Sequence, residues 1–172
     1  MKTNPRILLF ALCAAGFTGW TLFLGSSLPA RLAVHFDGAG AANGWMTPAG
    51  HLATVLGVGL GIPFLMIALA LAMRRLPPTL LNVPNATYWR APENYRRACD
   101  IFLGWALEMG VAVMAWMALI QDQIMRANRL PQPRIDTTTA AVLTGAFLLA
   151  VLLLGVRLVL QYRRPGPPSR PL

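Results

Sequence analysis

The chain reads as an all-α integral membrane protein, a four-transmembrane-helix bundle with a short structured extracytoplasmic loop. Two observations predict this. Four long apolar runs, at about 7–25, 52–73, 101–120 and 138–160, fill most of the 172 residues. Each reaches the roughly 20 residues that a helix needs to cross a bilayer core about 30 Å thick. The composition agrees, because 56% hydrophobic against 12% charged residues leaves too little polar surface to cover a water-soluble globule. Hydrocarbon offers the backbone no hydrogen-bonding partner, so helices are the economical form for every run.

The placement of charge orients the runs. Lys2 and Arg6 precede the first, and Arg31 alone lies between the first and second. Arg74, Arg75, Arg90, Arg96 and Arg97 follow the second, Arg126, Arg129 and Arg134 follow the third, and Arg163, Arg164 and Arg170 follow the last. Basic residues concentrate on the side of the chain ends, which predicts a multi-pass protein with both termini and the second connector in the cytoplasm. The net charge of +9 is then mostly topogenic, and no nucleic-acid partner is expected. The organisation expected is one membrane domain over 1–162, an external loop at 26–51, a cytoplasmic loop at 74–100 and a disordered tail at 163–172.

Taken in order, the first run is longer than the apolar core of a signal peptide, about 7–15 residues, and is expected to stay as a span. Its Ala11, Ala15 and Gly19 offer a seam of small residues, as lipid-embedded helices need for close approach. Gly57 and Gly61 in the second run, Ala106 and Gly110 in the third, and Ala141 and Gly145 in the fourth repeat the pattern. Pro63 lacks a backbone donor and should kink the second span. Trp20, Trp45, Tyr88, Trp89 and Tyr162 fall near span ends, where amphipathic rings suit the headgroup layer. Cys13 and Cys99 have neither a disulfide framework nor a metal-ligand spacing, and read as small apolar fillers.

Polar residues within the runs carry the functional argument. Glu108 is the acidic residue well inside a span. A charge at that depth costs at least about 2.5–3.5 kcal/mol and should face the bundle, take a partner or take up a proton. Arg157, near the end of the fourth run, is a partner within reach, although snorkelling outward to the interface is the favoured reading for it.

The external loop is the densest polar region outside the spans. His35 and Asp37 at spacing two would share a face of a short extended segment, and Gly38, Gly40 and Asn43-Gly44 permit a tight reversal ending at Trp45. His35, Asp37 and His51 contain ligand atoms but no recognised metal spacing, so neither a metal nor a cofactor is expected. A structural or partner-binding loop is the reading preferred. The second connector interrupts regular structure with Pro77, Pro78, Pro84 and Pro92, which would hold Tyr88 and Trp89 against the headgroups as a docking surface.

The run Leu28-Pro29 through His35-Phe36-Asp37, then Gly40, Gly44 and Trp45, resembles the signature segment of the bacterial domain of unknown function 1648. The stretch containing Asn82, Pro84, Asn85, Tyr88, Trp89, Pro92 and Glu93 is similar to the second signature of longer members of that family. The resemblance implies a bacterial cytoplasmic (inner) membrane protein and a relation to immunity proteins against the sporulation-delaying toxin, some of which relay the toxin signal to a repressor. It departs at Ala42 and Asn43, where the family often has an acidic residue. Besides the lipid bilayer, the partner expected is a peptide, a membrane protein or a lipid, met at His35, Asp37, Gly44, Trp45, Tyr88 and Trp89. The other reading is a transporter or accessory subunit that uses Glu108 as a proton-responsive site. An enzyme is not expected, since no nucleophile with its base and no metal triad appears.

Overall fold

Helices follow the apolar runs and overshoot them wherever a cap or a polar helical extension allows. The computed structural model describes residues 5–163. In order these are α1 (Pro5–Gly25), β1 (Leu32–Phe36), β2 (Ala42–Met46), α2 (Pro48–Leu56), a π-helical turn (Gly57–Gly61), α3 (Ile62–Met73), a 3₁₀ turn (Pro78–Leu80), α4 (Ala86–Arg90), α5 (Pro92–Ala127) and α6 (Thr137–Arg163). Four of the helical stretches are long and apolar enough to cross a membrane: Pro5–Gly25, Pro48–Met73, Pro92–Ala127 and Thr137–Arg163. The protein is an all-α membrane bundle. The tail expected to be disordered lies outside the described residues, except Arg163, which closes α6.

Two expected boundaries are corrected. The second span starts at Pro48 rather than 52, because Thr47 caps it by accepting the Gly50 amide at 3.1 Å and Pro48 occupies the first turn. His51 therefore belongs to a helix and not to the external loop. The third long helix starts at Pro92, ahead of the apolar run at 101, with Glu93 in its first turn and Arg126 in its last, each of the sign the helix dipole favours. The second connector shrinks accordingly to 74–91.

The kink expected at Pro63 takes the form of the π-helical turn just before it. That wider turn absorbs the carbonyl that a proline four residues on cannot satisfy. It also leaves Gly59 facing α1, where the Phe17 ring occupies the space a Cβ would fill.

The 36-residue α5 is the spine. α1, α3 and α6 each pack along it, and α6 has α5 as its main neighbour. No residue in the most apolar stretch of α6 is buried, against a third of the corresponding stretch of α5. The bundle is thus a central helix with three others around it. Of the expected small-residue seams, only Ala106 and Gly110 sit at a tight contact. A Cβ on Gly110 would lie 2.7 Å from the Phe10 ring and 3.0 Å from Pro63, whereas Gly19, Gly57, Gly61 and Gly145 face open space. Aromatic side chains seated on glycine make these helix crossings, in place of two small faces pressed together. Phe10, Phe17, Val55, Leu107 and Met114 form the core of the spans.

The connectors are built as caps. At one end β1 and β2 form an antiparallel hairpin with bulges around His35, and the 128–136 connector joins it as a third segment. Ala42 donates to the Pro133 carbonyl at 3.3 Å and Ile135 to the Gly40 carbonyl at 2.9 Å. Gly40 has φ +84°, and a Cβ there would stand 2.5 Å from the Ile135 carbonyl oxygen. Both the backbone conformation and the close approach require glycine.

Asp136 caps α6. Its carboxylate accepts the Thr139 hydroxyl at 2.7 Å and the Thr138 and Thr139 amides at 3.0 and 3.2 Å. Bonds from the Thr139 hydroxyl and amide, then the Thr138 amide, hold its pKa below the ordinary 3.8 against a small opposing effect of burial.

Two predictions follow from the caps. Gly40→Ala should lower unfolding stability in detergent by about 1–3 kcal/mol; an unchanged midpoint would show that the hairpin and the 128–136 connector are not docked. A carboxylate with a depressed folded-state pKa stabilises fully above its unfolded value and loses that contribution as pH falls through the folded value. Exchange protection of the Thr138 and Thr139 amides should therefore drop in Asp136→Ala at neutral pH, and wild type should converge on the variant well below pH 3.8.

Candidate functional site

The hairpin presents most of the expected recognition residues. Asn128, at the end of α5, clasps β1: its side-chain oxygen accepts the Ala33 amide at 2.9 Å while its nitrogen donates to the Ala33 carbonyl at 2.8 Å. Leu32 and Ala33 are completely buried, and Leu32 packs with Leu24 and Met125. Trp45 pairs with that clamped Ala33 in the ladder. Its ring is 44% exposed and carries the Arg31 guanidinium 5.0 Å from its centre, a cation–π contact worth about 0.5–1 kcal/mol at an exposed site. His35 pairs with Gly44, where a Cβ would lie 2.9 Å from the His35 Cβ. Glycine at 44 thus leaves the exposed His35 room to lie across the partner strand. An aromatic ring, a guanidinium and an imidazole are held outward on a fixed frame.

Asp37 is corrected. It does not share a chemical face with His35, because the strand bulges between His35 and Phe36 and Asp37 enters the turn. There its Oδ1 accepts the Ala39 and Ala41 amides, both at 2.9 Å. No hydrogen bond or ion pair joins it to His35 among the described residues. Its work is to close the turn. His51 is also separate, buried at the start of α2 with its Nε2 unpartnered.

At the opposite end the second expected surface is corrected as well. Trp89 does not meet headgroups: it is fully buried, and its indole donates to the Tyr162 carbonyl at 2.8 Å. Tyr162 is buried too, sits edge-on to Trp89 and donates its hydroxyl to the Ala98 carbonyl at 2.8 Å. Asn85, in the left-handed conformation at φ 56°, adds a bond to the Arg163 carbonyl at 3.0 Å. The physical reason is the helix terminus: the last carbonyls of α6 have no partner within the helix, and Trp89 and Asn85 supply donors. Tyr88 is partly buried edge-on against Trp89. Tyr95 does the same for α3, its one hydroxyl proton directed at the Met73 carbonyl at 2.6 Å, with the Leu76 carbonyl of the following turn at 3.0 Å as the alternative acceptor. Asn85 and Trp89 in this connector are structural caps.

Within the spans, Glu108 joins three helices. Its Oε1 lies 3.2 Å from Arg6 Nε on α1, and its Oε2 pairs with Arg157 on α6. Arg157, with 46% of its side chain still exposed, spends its guanidinium on Glu108 rather than on the outward snorkelling expected of it. Arg6 escaped the sequence reading since its position marked it as topogenic. Gly104, one turn before Glu108, supplied the missing signal: a Cβ there would collide with the Arg6 guanidinium. A hollow of about 120 Å³ lined by Arg6, Leu9, Leu107, Glu108 and Val111 adjoins the cluster.

No protein-family model, curated protein or solved structure matches this chain.

If Glu108 is a shared clamp, a double-mutant cycle of Glu108→Gln and Arg157→Gln should return a coupling energy of about 0.5–3 kcal/mol in detergent unfolding. Strict additivity would mean that the pair contributes nothing to stability.

Proposed function

We propose that the chain is a non-enzymatic membrane protein that recognises a peptide or membrane-protein partner through the outward face of its hairpin. The observation that carries this reading is the exposed Trp45, with Arg31 against it, opposite an Ala33 held by both atoms of the Asn128 amide. Aromatic and arginine side chains dominate binding energy at protein surfaces. A face that is already rigid loses little entropy when it is occupied. The charge placement supports an inner-membrane location with both chain ends cytoplasmic and the hairpin external. The resemblance to the domain of unknown function 1648 adds immunity to the sporulation-delaying toxin, or relay of its signal, as the partner class.

A second reading has Glu108 as a proton-responsive site of a transporter or accessory subunit, and the hollow beside it favours that reading. Engagement of both carboxylate oxygens by arginine weighs toward a structural clamp instead.

The test is challenge of a toxin-sensitive bacterium producing the protein with the sporulation-delaying toxin. Wild type should protect, and Trp45→Ala should reduce protection at least about tenfold, as expected for a binding hot spot, with membrane abundance unchanged. Glu108→Gln should still protect. Absence of protection by wild type removes the toxin reading. Proton flux in proteoliposomes that vanishes with Glu108→Gln would install the second reading.

A further inference from the structure

The connector end of α5 and α6 contains a further feature, which shares Arg157 with the clamp. A groove of about 450 Å³ runs between these helices, lined by Arg97, Ile101, Arg157, Leu160 and Gln161. Its lining combines two guanidinium groups with the aliphatic side chains of Ile101 and Leu160. Arg97 is exposed and forms no ion pair among the described residues. Its guanidinium lies 5.8 Å from the centre of the Trp89 ring, and the indole is itself fixed by the Tyr162 carbonyl. The charge therefore stands on a rigid support at the mouth of the groove. Arg157 sits across from it on α6, held in place by Glu108. Among the described residues, the groove is lined by two arginines and no acidic residue. Beyond Leu160 the apolar surface of α6 continues exposed through Val156, Leu153, Leu152 and Leu149.

We infer that this groove is a binding site for an anionic phospholipid, whose phosphate lies between Arg97 and Arg157 while an acyl chain follows Ile101, Leu160 and the outer face of α6. Charge complementarity selects the headgroup, and basic pockets between transmembrane helices are suited to such lipids. The continuous aliphatic surface selects a lipid over a free anion. Gln161 offers the headgroup an amide in addition to the two guanidinium groups.

The experiment uses the full chain in nanodiscs of phosphatidylglycerol mixed with phosphatidylcholine, with retained lipid counted by native mass spectrometry after transfer to detergent. Wild type should retain phosphatidylglycerol preferentially. Arg97→Gln should lower that retention about fivefold, and Leu160→Trp, which fills the groove and keeps every charge, should lower it comparably. Arg96→Gln removes the same charge from an exposed neighbour that does not line the groove, and should match wild type. Equal losses for Arg96→Gln and Arg97→Gln would overturn the site in favour of diffuse attraction. Equal retention of both lipids, or displacement of the lipid by millimolar inorganic phosphate, would overturn it as well.

Discussion

A single carboxylate shared by arginines of the first and last helices governs how this bundle holds together. Between helices in lipid, apolar surface no longer discriminates one neighbour from another, so register must come from close packing and from polar pairing. Glu108 provides such pairing twice, to Arg6 and to Arg157. It sets the height of α1 and α6 against α5 at one level. This matters most for α6, which has α5 as its main neighbour. Its further side-chain ties to α5 include the Trp116–Phe147 stack near mid-span and the Tyr162 bond to Ala98 at its end; Trp89 and Asn85 hold its last carbonyls from the connector.

The same accounting explains the two ends of the molecule. Every helix that stops leaves backbone groups unpaired, and here the connectors fold back to meet them. Asn85 and Trp89 serve the carbonyls of α6, Tyr95 serves those of α3, and Asp136 serves the amides that open α6. Asn128 makes the last turn of α5 into the anchor of the hairpin. Both ends are thus tied by side chains, while the fourth helix is covered on one side only.

The fold was largely legible because span length and apolar content report the solvent directly. Helix ends were less so. α5 extends nine residues before the apolar run begins at 101, and those residues are polar because they pack among connectors rather than in hydrocarbon. The hairpin was legible in Gly40 and Gly44, whose chemistry has few uses other than tight turns and close strands. Trp89 was not. An aromatic residue near a span end looks the same whether it anchors in headgroups or caps a helix, and the carbonyl that decides the matter belongs to Tyr162, 73 positions away. Arg6 was hidden for a similar reason, since a topogenic charge and an ion-pair partner differ only in what stands opposite.

The π-helical turn at Gly57–Gly61 also determines which way the second span faces. His51, Val55, Gly59 and Pro63 are buried at successive intervals of four, a spacing that would drift steadily around a regular helix. The widened turn takes up that drift. One residue is worth about 100° of rotation, so a chain shortened by one position within the turn would rejoin as ordinary helix with its two halves still facing the same way, whereas straightening the turn at full length would swing them apart by about that angle. Either His51 or Pro63 would then point into lipid, and the hairpin leading into Pro48 would be carried to a different side of the protein.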